Sequence, residues 1–273
     1  MGYEIFAHHA HVFPREVRED GTVDALLRTM DVCGIGKAVC FAPFPAQLAP
    51  GSTEANAWLA RSIAASDRLI GFGVIDFEKD DLCDQVDRIA ELGLRGIKLH
   101  PAFQHFAVDS DAAFEVYARA EELGLFLSFH TGVHWHRIRD YQVWRFDEVA
   151  YHFRRLRFSM EHLGGYCFFH EGLAVMLNNM HRGEEPRIYA GLTSVFDPDA
   201  NRAWNLSDQR IYDLIWQTGD RASIFGLDFP YNDAGKIKEA IDHLAGLELP
   251  EESKQRIFGG NLCRILGISR EGD

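Results

Sequence analysis

The sequence predicts an α/β protein of the (β/α)8 TIM-barrel class. Eight short runs rich in β-forming residues alternate with longer amphipathic segments along the 273 residues, which is the pattern of repeated βα units around a parallel sheet. Barrels of about 250 residues commonly fold as one unit. Because no Pro/Ser-rich linker or change in composition divides the chain, we expect a single domain over residues 1–273.

The eight predicted strands are short and apolar, and polar residues follow at their C-terminal ends. They are Tyr3–His11, Lys37–Phe44, Leu69–Asp76, Leu94–Pro101, Leu125–Thr131, Arg157–Leu163, Arg187–Thr193 and Ser223–Pro230.

The segments between the strands carry apolar residues three and four positions apart, as amphipathic helices do. The clearest are Thr22–Cys33, Thr53–Ser66, Asp80–Leu92, Asp111–Leu123, Glu171–Met180 and Lys236–Leu244. Gly34, Gly93 and Gly124 follow three of them and can take the left-handed conformation that ends a helix. An open doubly wound sheet is the alternative, but the first strand is not followed by the glycine-rich phosphate loop of that fold.

Composition limits the partners of the protein. A formal charge of -13 disfavours nucleic acid and anionic membranes, which attract basic surfaces, and leaves a small molecule as the expected partner. The N-terminus has no basic stretch followed by an apolar one, and no apolar run approaches the roughly 20 residues that span a bilayer. Five scattered cysteines without a CxxC pair suit free thiols in a reducing compartment, so we expect a cytoplasmic protein.

The first strand ends in the sequence His8-His9-Ala10-His11. Side chains alternate between the faces of a strand, so His9 and His11 are predicted on one side, where they can chelate a metal ion. His8 is predicted on the opposite face, in a packing role.

Other chemically active residues stand at the same relative place, the C-terminal end of a predicted strand. In a barrel these ends meet at one mouth, which makes distant residues neighbours. The residues are Lys98, His100, His130, His162 and Asp228.

These residues lie in five motifs, HxH, GIKLHP, FHTG, HLGG and GLDFP. A sixth motif, GGNLCRILG, follows them, and the set spans residues 9 to about 267. In this order the set resembles the amidohydrolase-2 branch of the amidohydrolase superfamily, which includes aminocarboxymuconate semialdehyde decarboxylase and related lactonases and hydratases. The resemblance implies one divalent ion held by His9, His11, His130 and Asp228, with His162 beside it as proton carrier or auxiliary ligand.

Nitrogen and oxygen ligands suit zinc best, with manganese as the second choice. An ion with an incomplete protein shell lowers the pKa of a bound water towards about 7. Asp228 is then expected to accept the proton, and His162 to polarise the reacting group. Relatives usually carry an acidic residue two places before the HxH pair, where this chain has Ala7, so one supporting hydrogen bond is expected to be lost.

Lys98 has two interpretations. Some relatives carry a carbamylated lysine that bridges two metal ions, but the GIKLHP motif is associated with one ion in this branch. We therefore predict that Lys98 contacts substrate or supports a metal ligand. His100, which precedes a proline at the barrel mouth, is predicted to contact substrate.

A long loop after the fifth strand, at about residues 132–156, is predicted to cap the mouth. It concentrates basic residues in an acidic protein, which favours recognition of a substrate carboxylate over an ordinary solvated face. These residues are His134, His136, Arg137, Arg139 and Arg145. Its aromatic residues are expected either to anchor the loop to the barrel rim or to pack on a second copy of the chain.

The predicted function is hydrolysis of a small, carboxylate-bearing ester, lactone or amide by metal-activated water. Non-oxidative decarboxylation of an aromatic or unsaturated acid is the alternative, because the same residues serve both reactions and loops decide the chemistry. A catalytically inactive metal-binding relative is disfavoured, since Asp228 and His162 are both present.

Overall fold

The structure is a computed structural model that describes residues 2–48, 54–181 and 183–269. All eight predicted strands are present, and their ends differ from the predicted ones by a few residues at most. They are β1 (Ile5–His11), β2 (Ile35–Phe41), β3 (Leu69–Val74), β4 (Gly96–Leu99), β5 (Phe126–His130), β6 (Phe158–Glu161), β7 (Ile188–Thr193) and β8 (Ser223–Phe229).

The strands form a closed parallel barrel. Each strand pairs with the next in sequence, and β8 pairs with β1, so the predicted TIM barrel is confirmed and the doubly wound alternative is wrong. Closure brings the C-terminal ends of all eight strands to one mouth.

A helix follows each strand, and two more follow the last unit. They are α1 (Val23–Cys33), α2 (Ala55–Ile63), α3 (Leu82–Glu91), α4 (Asp111–Leu123), α5 (Phe146–His152), α6 (Gly165–Asn178), α7 (Asp208–Thr218), α8 (Ala234–Gly246), α9 (Glu251–Gln255) and α10 (Asn261–Leu266). A π-helical segment, Arg256–Gly260, joins the last two. None of the helices in the described ranges is both long and apolar enough to cross a bilayer.

Local signals fix several helix ends. The Thr22 and Ser110 side chains accept hydrogen bonds from backbone amides at the starts of α1 and α4, and Gly34 and Gly124 end these helices with φ of 70° and 69°. The helix predicted from Glu171 begins earlier, at Gly165. Thr53, the predicted start of the second helix, lies outside the described residues.

Aromatic side chains fill the barrel interior below the mouth. Phe6, Phe41, Phe72 and Phe126 form one buried cluster, in which Phe41 and Phe72, and Phe72 and Phe126, have ring centroids 5.9 and 6.0 Å apart. Leu262, Ile265 and Leu266 of α10 join this cluster. Burial of each large apolar side chain contributes about 1.5–3 kcal/mol, so the interior is a packed core and not a channel.

One extra residue interrupts the regular alternation of β1. Ala7 pairs with Ala38 and Ala10 pairs with Cys40, so three steps along β1 match two along β2. His9 lies within this bulge and has a left-handed φ of 65°. A bulge changes the directions of the side chains within it, and this one changes the directions of His8 and His9.

A second bulge lies in β8. His8 pairs with Gly226 and Ala10 with Phe229, so three steps along β8 match two along β1. Asp228 lies within this bulge, with a φ of 56°. A left-handed conformation costs a residue with a side chain about 1–2 kcal/mol, and the surrounding barrel holds both bulges in place.

The predicted cap is only partly a loop. After β5 the chain makes two short 3-10 turns, Ile138–Tyr141 and Val143–Arg145, and then enters α5. The Tyr141 hydroxyl accepts hydrogen bonds from the backbone amides of His134 and His136, at 2.8 and 3.3 Å. These contacts hold the first part of the cap in a defined shape above the mouth.

Candidate metal centre at the barrel mouth

Side chains from the first and last strands meet at the mouth. The Nε2 atoms of His9 and His11 lie 3.6 and 3.9 Å from Oδ1 of Asp228. One nitrogen or oxygen atom from each of the three residues lies within 4.8 Å of the other two. Burial, and then the nearby charge of Lys98, hold the pKa of both histidines well below the usual value, so both imidazoles are neutral at neutral pH.

Asp228 is buried and firmly held. The Ser194 hydroxyl donates to its Oδ2 at 2.7 Å, and the Asn232 amide donates to that hydroxyl at 2.9 Å. Burial raises the pKa of Asp228 to about 6, against the opposing effects of the Ser194 hydrogen bond and the Lys98 charge. The remaining oxygen, Oδ1, faces His9 and His11.

His162 follows β6 and lies beside these three residues. Its Nδ1 lies 2.7 Å from the carbonyl oxygen of Thr193, which can only accept, so Nδ1 carries the proton and Nε2 is free to accept one. Trp204, from the connection after β7, stacks on the ring at 4.1 Å. Burial, together with the charge of Lys98, lowers the pKa of His162 to about 3.

His130 is close to this group but does not join its cluster of donor atoms. Its ring centroid lies 4.8 Å from that of His162, and its Nε2 lies 2.7 Å from the carbonyl oxygen of Gly132. Among the described residues, the groups of side chains able to hold a metal ion do not include His130. Its Nδ1 is the nitrogen that remains for a ligand.

His100 carries its ring proton on Nε2, as His130 does, but the nitrogen that it leaves free is the donor and not the acceptor. The backbone amide of Phe103 donates to its Nδ1 at 3.3 Å, so the neutral ring carries its proton on Nε2. Its ring stacks on His130 at 3.9 Å, and Nε2 is buried without a hydrogen-bond partner within the described part of the chain. His100 therefore presents an unused donor.

Lys98 presents a second unused donor. Its side chain is 1% exposed, and its Nζ lies 5.0 Å from the centre of the Phe41 ring, without a hydrogen-bond partner among the described residues. Burial lowers the pKa of Lys98 to about 8, although the charges of Glu161 and Asp228 act in the other direction.

A cavity of about 630 Å³ opens onto these groups. His9, His11, Lys98, His100, His130, His134, His162, Trp204 and Asp228 are among its lining residues. The three arginines of the cap and His136 instead line a neighbouring cavity of about 640 Å³, which shares His130 and Trp135 with the first. The arginines of the predicted cap thus line the cavity next to that of the proposed metal ligands, and His134 lines the latter.

The residues present fit a divalent cation. His9 and His11 are neutral imidazoles, and Asp228 offers an oxygen that no other protein donor occupies in the described chain. Two nitrogens and one oxygen from two adjacent strand ends form the kind of incomplete shell that catalytic ions occupy.

The profile of the amidohydrolase family matches residues 8–268 of the sequence. The chain belongs to this family. The match covers the whole barrel from the HxH pair to α10, and it establishes the protein as an enzyme of the metal-dependent amidohydrolase type. The search of curated proteins returned no significant match.

Several solved structures share the fold of this amidohydrolase. They include 5-carboxyvanillate decarboxylase of Sphingomonas paucimobilis (16% identity, 98% of this chain and 100% of that one, TM-score 0.72). A protein of Pseudomonas putida assigned as a 2-pyrone-4,6-dicarboxylic acid hydrolase has 18% identity, coverage of 99% and 100%, and a TM-score of 0.72. A dihydroxybenzoic acid decarboxylase of Polaromonas with bound manganese has 16% identity, coverage of 99% and 98%, and a TM-score of 0.71.

The sequence did not point to Ser194, Trp204 or Asn232 in this amidohydrolase, nor to Glu161 at the end of β6. Its carboxylate is fully buried and accepts a hydrogen bond from Nδ1 of His9 at 2.9 Å. Glu161 thus contacts His9 from a strand other than the one that carries Ala7. The signal was a lone acidic residue in an apolar strand, directly before His162 in the sequence MEHLGG.

The predicted orientation of His8 is also wrong. Its Nδ1 lies 3.2 Å from Oε1 of Glu161, and its ring packs against Phe41 and Phe72, so it faces the interior as His9 does. The bulge at His9 breaks the alternation on which the prediction rested.

Proposed function

We propose that this amidohydrolase hydrolyses a small, carboxylate-bearing ester, lactone or amide, with one divalent ion held by His9, His11, His130 and Asp228. His130 contributes through Nδ1, because its Nε2 is engaged with the Gly132 carbonyl. Zinc suits this set of donors best and manganese is the second choice. When bound, the ion supplies Lewis-acid activation of the attacking water and of the substrate carbonyl.

The observation that carries the proposal is that acceptors and donors line one cavity together. His9, His162 and Asp228 offer acceptor atoms. Lys98 and His100 offer buried donors that have no hydrogen-bond partner in the described part of the chain. An unsatisfied buried donor costs about 1–3 kcal/mol, so a substrate oxygen is the natural partner for both.

Proton transfer falls to Asp228. Ser194 and Asn232 fix one carboxylate oxygen, and the other faces the space between the histidines, where it can take a proton from the attacking water. His162, held by Thr193 and Trp204, presents Nε2 beside the reacting group.

The arginines of the cap are proposed to hold the distal carboxylate of the substrate. Arg145 is anchored by Asp109 at 2.9 Å, while its Nε is buried without a partner in the described chain. Arg137 and Arg139 line the same cavity, together with His136. Because this cavity adjoins the first at His130 and Trp135, a substrate with its acid group remote from the reacting bond reaches both.

Decarboxylation is the second candidate. Two of the similar structures are decarboxylases of aromatic acids. The same acceptors and donors suit a substrate whose carboxyl group leaves as carbon dioxide, so the product distinguishes the two reactions.

The test is a panel of aromatic lactones, esters and acids, each compared with the neutral amide isostere of its distal carboxylate. We expect an acid product without carbon dioxide. In Arg145→Gln, we expect KM for carboxylate substrates to rise by about 10-fold to 100-fold, equivalent to roughly 1.5–3 kcal/mol, with KM for the isosteres unchanged.

Arg61→Gln removes an exposed arginine of α2 and serves as the matched control. If Arg145→Gln only loosened the cap, KM would rise for both the carboxylate substrate and its amide isostere, and the ratio of the two KM values would not change. That result would contradict the role of the arginines. Release of carbon dioxide would establish the second candidate in place of the first.

A further inference from the structure

Glu161 holds more hydrogen bonds than a packing residue needs. Its Oε2 accepts from the Thr193 hydroxyl at 2.8 Å and from Nδ1 of His9 at 2.9 Å. Its Oε1 accepts from the Ser159 hydroxyl at 2.5 Å and lies 3.2 Å from Nδ1 of His8. Donors therefore fix both oxygens, and the carboxylate cannot rotate without breaking several contacts.

The backbone around Glu161 is shaped to admit the carboxylate. A Cβ atom on Gly191 of β7, the strand next to β6, would overlap the carboxylate oxygens and carbon. Glycine at this position therefore leaves the space that the charged group occupies.

The contact with His9 sets which ring nitrogen carries the proton. A carboxylate accepts hydrogen bonds and does not donate them, so Nδ1 of His9 must be the protonated nitrogen. Nε2 then has a free lone pair, and this atom lies 3.6 Å from Oδ1 of Asp228, on the side of the proposed ion.

We propose that Glu161 is the positioning residue of the metal centre, which fixes the tautomer and the orientation of His9 so that its Nε2 meets the ion. The proposal rests on the metal centre described under the proposed function. It assigns to β6 the support that Ala7 in β1 lacks, and it explains a fully buried carboxylate that does not itself line the cavity but contacts His9, which does.

The first experiment compares Zn²⁺ affinity in the wild type and in Glu161→Gln by competition with a chromophoric chelator. Glutamine keeps the shape of the glutamate side chain but replaces one carboxylate oxygen with an NH2 group. This group donates hydrogen bonds, and the neighbours that it faces donate as well. We expect Kd to rise 10-fold to 100-fold, the usual effect of removing such a partner. The visible spectrum of the Co²⁺ form should also change in intensity, because the ligand geometry relaxes.

Ser159→Ala is the matched control, since it removes a hydrogen bond to Oε1 and leaves the bond from His9 to Oε2 intact. Its Kd should stay within about threefold of the wild type. An unchanged Kd and Co²⁺ spectrum in Glu161→Gln would overturn the proposal, as would an equal loss in Ser159→Ala. A wild type without stoichiometric metal would instead refute the centre itself.

A measurement on the wild type covers the case in which Glu161→Gln does not fold. Histidine ¹⁵N NMR of the metal-free protein reports which ring nitrogen carries the proton. The signals of His9 are assigned as those that disappear in His9→Gln, and we expect them to show the proton on Nδ1. A proton on Nε2 of that ring would overturn the proposal without any substitution at Glu161.

Discussion

Asp228 combines two demands that conflict in the metal-free protein. Burial raises its pKa to about 6, while the proposed ion needs the ionised form. The Ser194 hydroxyl partly stabilises the ionised form by donating a hydrogen bond to one oxygen. The cation stabilises it further when bound, because a positive charge near the carboxylate favours ionisation.

Zn²⁺ affinity should therefore depend on pH through Asp228. As the pH falls through about 6, the carboxyl group takes up a proton that the ion must displace, so affinity should fall about tenfold for each pH unit below that value. Burial lowers the pKa values of His9 and His11, so their protonation competes with the ion less than that of an ordinary imidazole would.

Asp228→Asn tests both roles of the residue. The variant should retain much of its metal, lose this pH dependence of affinity, and show kcat lowered by about 10²–10⁴, the usual effect of removing a positioned base. Metal content, Zn²⁺ affinity from pH 5 to 7.5 and the pH–rate profile should be measured on one preparation. A metal-replete variant within about tenfold of wild-type activity would transfer the role of base to His162.

At the level of elements, the strands depart from regular geometry where they carry chemistry. His9 and Asp228 lie in bulges, and His162 and Ser194 also have left-handed φ values, of 61° and 55°. The ends of β1, β6, β7 and β8 thus share one type of distortion. The rigid barrel keeps these side chains aimed at the mouth at a cost of about 1–2 kcal/mol for each residue.

Gly191→Ala should disturb this arrangement from within β7. The added methyl group overlaps the Glu161 carboxylate, and the strand backbone cannot move away without losing its ladder bonds. We expect the free energy of unfolding to fall by about 1–3 kcal/mol, measured by urea denaturation, and Zn²⁺ affinity to fall with it.

Gly36→Ala in β2 is the control, since a methyl group added there would lie 3.5 Å from its nearest neighbour, the Ile5 carbonyl oxygen, which is an ordinary contact. Its stability should stay within about 1 kcal/mol of the wild type. Equal stability and equal metal affinity in the two variants would show that β7 tolerates a side chain beside Glu161.

For the whole molecule, the proposed metal centre joins the first and last strands of the barrel. His9 and His11 come from β1 and Asp228 from β8, the strand pair whose contact closes the barrel. An ion bound to these residues binds the closed barrel and not the unfolded chain, so it should stabilise the whole fold.

Zn²⁺ at about 100 times its Kd should stabilise the protein by about 2.7 kcal/mol and raise Tm by roughly 5 °C. The double variant His9→Gln, His11→Gln should lose most of the bound metal and show no such shift. Differential scanning calorimetry with and without Zn²⁺, together with metal analysis, measures both effects. Full occupancy in the double variant would mean that the ion binds elsewhere.

The sequence by itself determined the barrel, the order of its strands and the placement of polar residues at strand ends. These features follow from local periodicity and from residue types that recur at each strand end, and neither depends on contacts between distant segments. The same reasoning placed His9, His11 and Asp228 at one mouth, where the structure brings them together.

Only the tertiary structure decided which neighbours each of these side chains meets. The bulge in β1 depends on pairing with β2, and the bulge in β8 depends on pairing with β1, so alternation within one strand placed His8 on the wrong face. The contact of Glu161 with His9 joins β6 to β1. The path of the cap places its arginines in the lining of a second cavity. Register and loop direction come from packing across the whole fold, which local sequence patterns do not encode.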